Sequence, residues 1–379
     1  MKIPLCKINF NIRELQAINR VLKSGWLTDG PINTAFEEKF AKYIGVKRAV
    51  SLNSCTAALQ LAVEALEIKG EVILPSFTFV ASANAVVKAG ATPVFADIEY
   101  GTCNIDPFDI ARRITPRTQA IMVVHYAGQA CAMDKIMELA AQHKLKVIED
   151  SAETIGGTFR KQKTCSFSIG CFSFFPTKNI TTGEGGMLTT NNDALADKIK
   201  ALAGHGITKS AYDREYTQDP WLREATFAGY NFRMSSILAA IGVEQLKKLD
   251  TMNAQRREHA AYLNKKLKFD EIDLPIELKE CRHVYQMYTL KVRDISRRDF
   301  VSGLRKKGVL ASVHFSPPVH LQRYYVERYK SSHQDLPVTE RIADSIVSLP
   351  MYPGLTKKEL NYMINAVGKV LCRLKRRIL

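Results

Sequence analysis

The chain has 379 residues and a formal net charge of +16. Its length predicts two domains, and its composition, 46% hydrophobic and 24% charged, predicts a globular protein. No stretch approaches the roughly 20 apolar residues of a membrane span, and polar residues interrupt the N-terminal apolar runs, which argues against a signal peptide. The eight cysteines form no CxxC pair, which argues against a zinc site or disulfide framework and favours a reducing cytoplasm.

The N-terminal residues predict an amphipathic helix over 11–24. Asn11 and Glu14 have the spacing of a capping box. The expected apolar face of this helix consists of Ile12, Leu15, Ile18, Val21 and Leu22. A polar turn at 24–31 and a second helix near 33–44 follow.

From residue 49 to 150, short apolar runs alternate with helical patterns. Strands are predicted at 49–52, 71–75, 92–98, 120–126 and 146–150. The helices between them are predicted at 56–66, 80–89, 106–114 and 133–143. Such alternation indicates βαβ units and a mostly parallel sheet flanked by helices. Two further strands, at 171–175 and 186–190, lie on either side of Lys178.

The pattern changes after residue 203. A polar, irregular stretch runs to about 228, and a long interrupted helical region follows at 235–267. The remaining predictions are a strand at 284–292, a helix at 296–307, a strand near 309–315 and a final helix with a Thr356/Glu359 capping box. We therefore expect a large α/β domain over residues 1–250 and a smaller C-terminal α+β domain over 251–379.

Three polar segments follow predicted strands, at the sheet edge where open α/β sheets bind ligands. Residues 53–58 open a buried helix whose free N–H groups favour an anion such as phosphate, although an ordinary N-cap explains the same residues. Asp150 ends a strand, and its carboxylate either faces a cleft or caps the next segment. Lys178 precedes a Gly-rich turn and is either a Schiff-base amine or a solvated charge.

Longer motifs in a fixed order narrow these alternatives. VIEDSAETIGG, CFSFFPTKNITTGEGGM and GYNFRMSSILAAIGVEQL, with SGWLTDGPINTAFEEKFAKYIGVKRAVSLNSCTAAL before them and HFSPPVHLQRYY after, resemble the DegT-type sugar aminotransferases over nearly the whole chain. The resemblance implies the fold of pyridoxal-phosphate-dependent transferases of type I, the aspartate aminotransferase superfamily. It also implies that pyridoxal 5′-phosphate is the cofactor, with pyridoxamine 5′-phosphate as the intermediate form.

By this resemblance, Lys178 is the Schiff-base lysine and proton carrier, and Asp150 pairs with the ring nitrogen of the cofactor. The expected phosphate-binding residues are Cys55, Thr56, Ala57 and Ser173, with the backbone N–H groups of 55–57 contributing. Cys55 replaces the commoner Gly of that loop, which is tolerable because backbone groups do the binding.

The resemblance implies further contacts around the cofactor. Phe79 stands where the family has an aromatic residue near the ring, and Glu153 stands where many members carry Gln or His over the ring face. Asn231 matches an Asn that reaches the phosphate from the neighbouring subunit, so a homodimer is expected. The expected substrate contacts are Trp26, Thr28, His314 and His320.

The implied reaction moves an amino group from L-glutamate to a nucleotide-linked keto sugar. The ITTGEGG run at 180–186 is more similar to members that act on 4-keto sugars, which suggests a 4-keto-6-deoxy hexose. An aminotransferase for a 3-keto sugar or a cyclitol ketone remains an alternative, as does a sugar dehydratase or a regulatory protein on the same fold. Relatives with the last two roles replace the lysine, whereas this chain keeps Lys178.

The basic charge is concentrated in residues 251–379, which hold 25 basic and 13 acidic residues, a net of +12. This excess is explained either by attraction of an acidic partner, such as a nucleotide diphosphate, or by a solvated lysine-rich surface. A nucleic-acid role is disfavoured because no recognisable binding module accompanies the charge. A nicotinamide enzyme is disfavoured because no GxGxxG follows a strand. No metal site is expected.

Overall fold

A computed structural model describes residues 1–376. The helices of the N-terminal two thirds are α1 (Ile12–Ser24), α2 (Pro31–Ile44), α3 (Cys55–Ala65), α4 (Val80–Lys88), α5 (Pro107–Arg113), α6 (Met133–Gln142), α7 (Asp193–Ala203), α8 (Ala211–Glu215) and α9 (Ser236–Leu246). The strands of this part are β1 (Arg48–Leu52), β2 (Glu71–Pro75), β3 (Thr92–Ala96), β4 (Thr118–Val124), β5 (Lys146–Asp150), β6 (Thr158–Phe159), β7 (Gln162–Lys163), β8 (Ile169–Ser173) and β9 (Gly186–Thr190).

Seven of these strands form one sheet in the order β1-β9-β8-β5-β4-β2-β3. Strand β9 is antiparallel to both of its neighbours, β1 and β8, and the other neighbouring pairs are parallel. The strands β2, β5, β8 and β9 are buried along their length, apart from Lys146 at the start of β5, because helices cover both faces of the sheet. The expected α/β fold with a mostly parallel sheet is confirmed.

The C-terminal third contains α10 (Leu249–Lys266), β10 (Ile272–Asp273), β11 (Cys281–Arg282), β12 (Tyr288–Val292), α11 (Arg297–Lys306), α12 (Arg323–Tyr329), α13 (Pro337–Ser345), β13 (Ile346–Leu349) and α14 (Lys357–Lys375). Strands β10, β12 and β13 form a small sheet, and β11 pairs with β6 of the larger part. The capping box of Thr356 and Glu359 opens α14 as the sequence predicts.

Two hydrophobic cores meet along α10. Leu249 and Met252 pack with the core around α2 and α9, whereas Ala260 and Leu263 pack with the core of the C-terminal third. Ile3 also lies in this second core and pairs with Val309 in an isolated β-bridge. The N-terminal residues are therefore tied to the C-terminal part, and the division at residue 250 stays a prediction.

Two predicted strands differ in the structure. The stretch 309–315 forms no strand and makes only isolated bridges, one of them between Ser312 and Ser348, and Phe315 has a positive φ of 48°. Strand β12 begins at Tyr288 rather than 284 because the backbone N–H of Val284 donates to Gly128 and that of Tyr285 donates to the His283 ring. These donors are thus unavailable to a strand ladder at 284–285.

The expected core face of α1 is also different. The helix and its Asn11 cap are as predicted, but Ile12, Leu15 and Leu22 are 62%, 63% and 53% exposed. Glu14 is buried instead, where it accepts hydrogen bonds from Gln245 and pairs with Lys248. The helix therefore packs on α9 through its smaller residues and presents its large apolar side chains outward.

Candidate active site

A cavity of about 390 Å³ opens at the carboxyl edge of the large sheet. The ends of β5 and β8 form its base, α3 and α4 form one side, and the C-terminal third closes the other side. The expected site residues that line it are Cys55, Thr56, Phe79, Asp150, Glu153, Ser173, Lys178 and His314. The tertiary structure thus brings together side chains that are separated by more than 250 residues of sequence.

Lys178 projects into this cavity from the turn after β8. The turn is held from outside, because Asn179 donates to Asn253 at 2.9 Å and Arg256 donates to the Asn179 carbonyl at 3.2 Å. The Lys178 side chain is 16% exposed, and its Nζ lies 3.4 Å from Oε1 of Glu153. A lysine amine confined in this way has the position that a Schiff-base nucleophile needs.

Asp150 ends β5 at the bottom of the cavity. Its Oδ2 accepts a hydrogen bond from Ser82 at 2.8 Å and its Oδ1 accepts one from the Ala152 N–H at 3.0 Å. Burial raises the pKa of the Asp150 carboxyl, while those two hydrogen bonds and the charge of Lys178 lower it. A positively charged ring nitrogen placed beside this carboxylate would offset the cost of burial.

The N-terminus of α3 forms a cradle for an anion. The Ser54 hydroxyl caps the helix by accepting from the Ala57 N–H at 3.1 Å, and the contribution of Ala57 to phosphate binding stays a prediction. The N–H groups of Cys55 and Thr56, in the first turn, have no helical acceptor and remain for a phosphate. Ser173 lies in the same wall.

Gly186 allows this cradle to form. It pairs with Leu52 on one side and Ser173 on the other, in the middle of the three strands beside the cradle. A Cβ at this position would lie 2.3 Å from the Ser54 carbonyl carbon and 2.5 Å from the Cys55 nitrogen. The close approach of β9 to the start of α3 therefore requires glycine.

Phe79 and His314 face the cavity from opposite sides. Phe79 precedes α4 and is 64% exposed, which leaves its ring available to a bound group. Nδ1 of His314 lies 2.7 Å from the Ser348 hydroxyl, and burial lowers the pKa of the His314 imidazole. His314 is therefore a neutral hydrogen-bonding group at neutral pH.

Five expected site residues, His320 among them, do not line this cavity. Ala57 is turned into the first turn of α3, and Trp26, Thr28 and Asn231 lie elsewhere on the surface of the chain. The Trp26 ring packs edge-on against Tyr212 at 5.1 Å and donates to the Asp29 carbonyl. Asn231 is exposed and forms a bridge with Gly204.

The structure places His320, an expected substrate contact, away from this cavity. Its side chain is 1% exposed, with Nδ1 2.6 Å from the Ser76 hydroxyl and Nε2 3.3 Å from Glu340. Both ring nitrogens are thus occupied away from the cavity. Through its contact with Ser76, His320 connects the short turn at 319–321 to the end of β2.

Several residues that line the cavity are not predicted from the sequence. Leu5 and Cys6 come from the N-terminus, and Gln286, Phe315 and Met351 come from the C-terminal third. No local pattern marks them, because their place depends on how the two cores meet. Ser82 offered a weak signal, since it lies three residues after Phe79 and so faces the same side of α4.

The residues present fit pyridoxal phosphate, the cofactor that the resemblance implies. An amine, a buried carboxylate and free helix N–H groups line one cavity, which matches the aldehyde, the ring nitrogen and the phosphate of that molecule. In the described part of the chain, no group of His, Cys, Asp and Glu has the arrangement of a metal site. No helix within residues 1–376 is long and apolar enough to cross a membrane.

Comparison with known proteins gives the same result. The model of the DegT/DnrJ/EryC1/StrS aminotransferase family matches residues 10–368. The chain is 39% identical to the spore coat polysaccharide biosynthesis protein SpsC of Bacillus subtilis, over 94% of each chain. Its fold is similar to that of DesV from S. venezuelae, solved with a ketimine intermediate, at 32% identity and a TM-score of 0.90, covering 97% and 98% of the two chains. It is also similar to the PLP-form of Spr1654 from Streptococcus pneumoniae, at 25% identity and a TM-score of 0.91, covering 99% and 100%.

Proposed function

This chain belongs to the DegT/DnrJ/EryC1/StrS aminotransferase family, and from that membership we propose that it aminates a nucleotide-linked 4-keto-6-deoxy hexose with L-glutamate as the donor. The family and its structural neighbours make the protein a pyridoxal-phosphate-dependent sugar aminotransferase. The donor, the nucleotide and the position of the keto group are the new parts of the proposal. The observation that carries the chemistry is that Lys178 and Asp150 meet in one cavity.

When bound, the cofactor would supply the electron sink that transamination needs at the reacting carbon. The side chains of this chain would supply the rest. Asp150 would hold the ring nitrogen in its protonated state, and the N–H groups of Cys55 and Thr56 would hold the phosphate. The amine of Lys178 would move the proton between the substrate carbon and C4′ of the cofactor, which requires that the amine stay inside the cavity.

The wall of the cavity supports a sugar as the acceptor. Beside Lys178 it offers neutral hydrogen-bonding groups, including Ser348, Gln286 and His314, which suit hydroxyls. The family match of ITTGEGG to enzymes for 4-keto sugars is supported by the position of Glu184 and Gly185 in this wall, where they can touch the acceptor. The similarity to SpsC, a spore coat polysaccharide biosynthesis protein, supports an amino sugar that enters a polysaccharide.

A homodimer with shared active sites forms part of the proposal. Lys178 is the only lysine or arginine among the described residues that line the cavity, yet the cofactor phosphate and a diphosphate are both anionic. Asn231 is exposed on its own chain and is available to a partner's cavity. The apolar side chains on α1 and the neighbouring Phe10, 48% exposed, provide a surface that a second copy would cover.

We place the reaction in the cytoplasm. All eight cysteines of the chain are free, including Cys6 and Cys55, which line the cavity. Free thiols near a catalytic cavity suit a reducing compartment. The test of this placement is cell fractionation with an antibody against the chain, and recovery of the protein outside the cytoplasm would contradict it.

The substrate proposal is tested by product analysis. The purified protein with pyridoxal phosphate is incubated with L-glutamate and a panel of nucleotide-linked 3-keto and 4-keto hexoses, a free keto sugar and an inositol ketone. We expect 2-oxoglutarate and a nucleotide sugar aminated at C4, located by mass spectrometry and NMR. Amination at C3, activity only on the free sugar or cyclitol, or loss of a hydroxyl without amination would contradict the proposal.

A further inference from the structure

Glu153 and Lys178 form an ion pair inside the cavity. Oε1 of Glu153 lies 3.4 Å from Nζ of Lys178, and the two side chains are 7% and 16% exposed. Because water is largely excluded from both groups, this pair is screened less than an ion pair on the surface. The carboxylate is therefore well placed to control the amine on which the proposed function depends.

Glu153 is itself held in one orientation. Its other oxygen, Oε2, accepts a 3.0 Å hydrogen bond from the backbone N–H of Ala127, in the short 3₁₀ turn over 126–128. The side chain is thus fixed at one oxygen and offers the second to Lys178. The two oxygens of this carboxylate therefore have different partners, Ala127 and Lys178.

The other ionisable groups around the pair do not replace this contact. The two oxygens of Asp150 accept hydrogen bonds from Ser82 and Ala152. Within the described residues, Glu153 is the one acidic residue that forms an ion pair with Lys178. His314 is kept neutral because burial lowers its pKa. The thiol of Cys55 and the phenol of Tyr126 are neutral because burial raises the pKa of each. Glu184 lines the cavity but is exposed.

We propose that Glu153 is the positioning residue for the free amine of Lys178. During the half of the cycle in which Lys178 is not attached to the cofactor, Glu153 holds the side chain of Lys178 inside the cavity. The inference rests on the proposed function for its place in the cycle, but the contact itself is a property of the protein without cofactor.

Substitution of Glu153 by Gln tests this role sharply. The amide oxygen can still accept from the Ala127 N–H, which leaves the amide NH₂ facing Lys178. An NH₂ group donates and cannot accept, so the substitution removes the acceptor that holds the Lys178 amine. Glu184→Gln is the matched control, because it removes a carboxylate from the same wall that has no contact with Lys178.

The experiment measures acetylation of the cofactor-free protein by the uncharged reagent N-acetoxysuccinimide at neutral pH, with the Lys178 peptide quantified by mass spectrometry. Other lysines in the digest serve as internal references. We expect Lys178 to react about tenfold faster in E153Q, as for the loss of one hydrogen bond to a charged group, and less than about twofold faster in E184Q. An unchanged rate in E153Q, or an equal increase in both variants, would overturn the proposal.

A second variant keeps the proposal testable if the E153Q protein does not fold. Glu153→Asp keeps the charge but shortens the side chain, so that it cannot reach both Ala127 and Lys178, and Lys178 should again react faster than in the wild type. An unchanged rate in a folded E153D protein counts against the role. Because labelling requires neither cofactor nor turnover, its result stands apart from the product analysis, which decides the proposed function alone.

Discussion

The hydroxyl of Ser82 donates a 2.8 Å hydrogen bond to Oδ2 of Asp150 and lies 2.9 Å from the hydroxyl of Thr78. Ser82 and Thr78 belong to α4 and the turn before it, whereas Asp150 ends β5. The hydrogen bond from Ser82 thus holds one oxygen of the Asp150 carboxylate from a neighbouring element, and the Ala152 N–H holds the other oxygen. The carboxylate of Asp150 is therefore held in a fixed orientation, as its proposed pairing with the ring nitrogen of the cofactor requires.

Asp150→Asn should keep the fold and lose most of the activity. An amide cannot stabilise a protonated ring nitrogen by charge, so we expect kcat to fall by about 10² or more, as for other lost charge stabilisation in active sites. Ser82→Ala should cost about tenfold, because one hydrogen bond to a charged group is worth about 1.5 kcal/mol. Steady-state kinetics with circular dichroism as the fold control checks both. Near-normal turnover of Asp150→Asn would remove the residue from the mechanism.

Lys178→Ala should abolish covalent attachment of the cofactor. The turn around Lys178 is held by Asn253 and Arg256, so the substitution should leave the backbone in place. After borohydride reduction, mass spectrometry should locate the cofactor on the Lys178 peptide of the wild type and nowhere in the variant. Lys135→Ala, a change on the exposed side of α6, is the control and should label normally. A reducible adduct on another lysine in Lys178→Ala would refute the assignment.

Mixed dimers test whether Asn231 acts across subunits. When inactive Lys178→Ala and Asn231→Asp chains exchange, the mixed dimer has one site with both defects and one with neither. Random exchange should then restore about one quarter of wild-type activity, since half of the dimers are mixed and half of their sites are intact. The control mixes wild type with a chain that carries both changes, whose mixed dimers have no intact site. Failure to recover activity despite proven exchange would contradict a shared site.

His283 should make the protein less stable in acid. Its side chain is 4% exposed, its Nδ1 accepts the Tyr285 N–H at 2.9 Å, and burial lowers its pKa to about 3. Between the ordinary value of about 6.5 and this value, the unfolded chain binds a proton that the folded chain does not, so stability falls as pH decreases. The contribution of His283 is fully present above the ordinary value and is lost progressively below it.

Urea unfolding between pH 7.5 and pH 5 measures this effect. A single such histidine contributes a slope of up to about 1.4 kcal/mol per pH unit. His283→Gln should reduce the slope, whereas His143→Gln, at an exposed position, should leave it unchanged. Equal slopes in wild type and His283→Gln would show that other groups, such as the buried His320, account for acid sensitivity.

The sequence alone determined the local elements and the chemistry of the sheet edge. The apolar runs of β2 and β5 and the capping boxes of α1 and α14 are found where their residues predict them, because strand and helix periods are properties of neighbouring residues. The place of Lys178 and Asp150 after strands makes them candidates, and the family motifs predict their roles.

Only the tertiary structure decided what each element packs against. The outward apolar face of α1, the burial of His320, the capping of Ala57 by Ser54 and the entry of Leu5 and Cys6 into the cavity all depend on contacts between distant parts of the chain. The pairing of Glu153 with Lys178 is of the same kind. Periodicity specifies whether a face of an element is apolar or polar, but the packing of the whole chain decides what that face contacts. For the exposed apolar face of α1, we propose that the contact is a second copy of the chain.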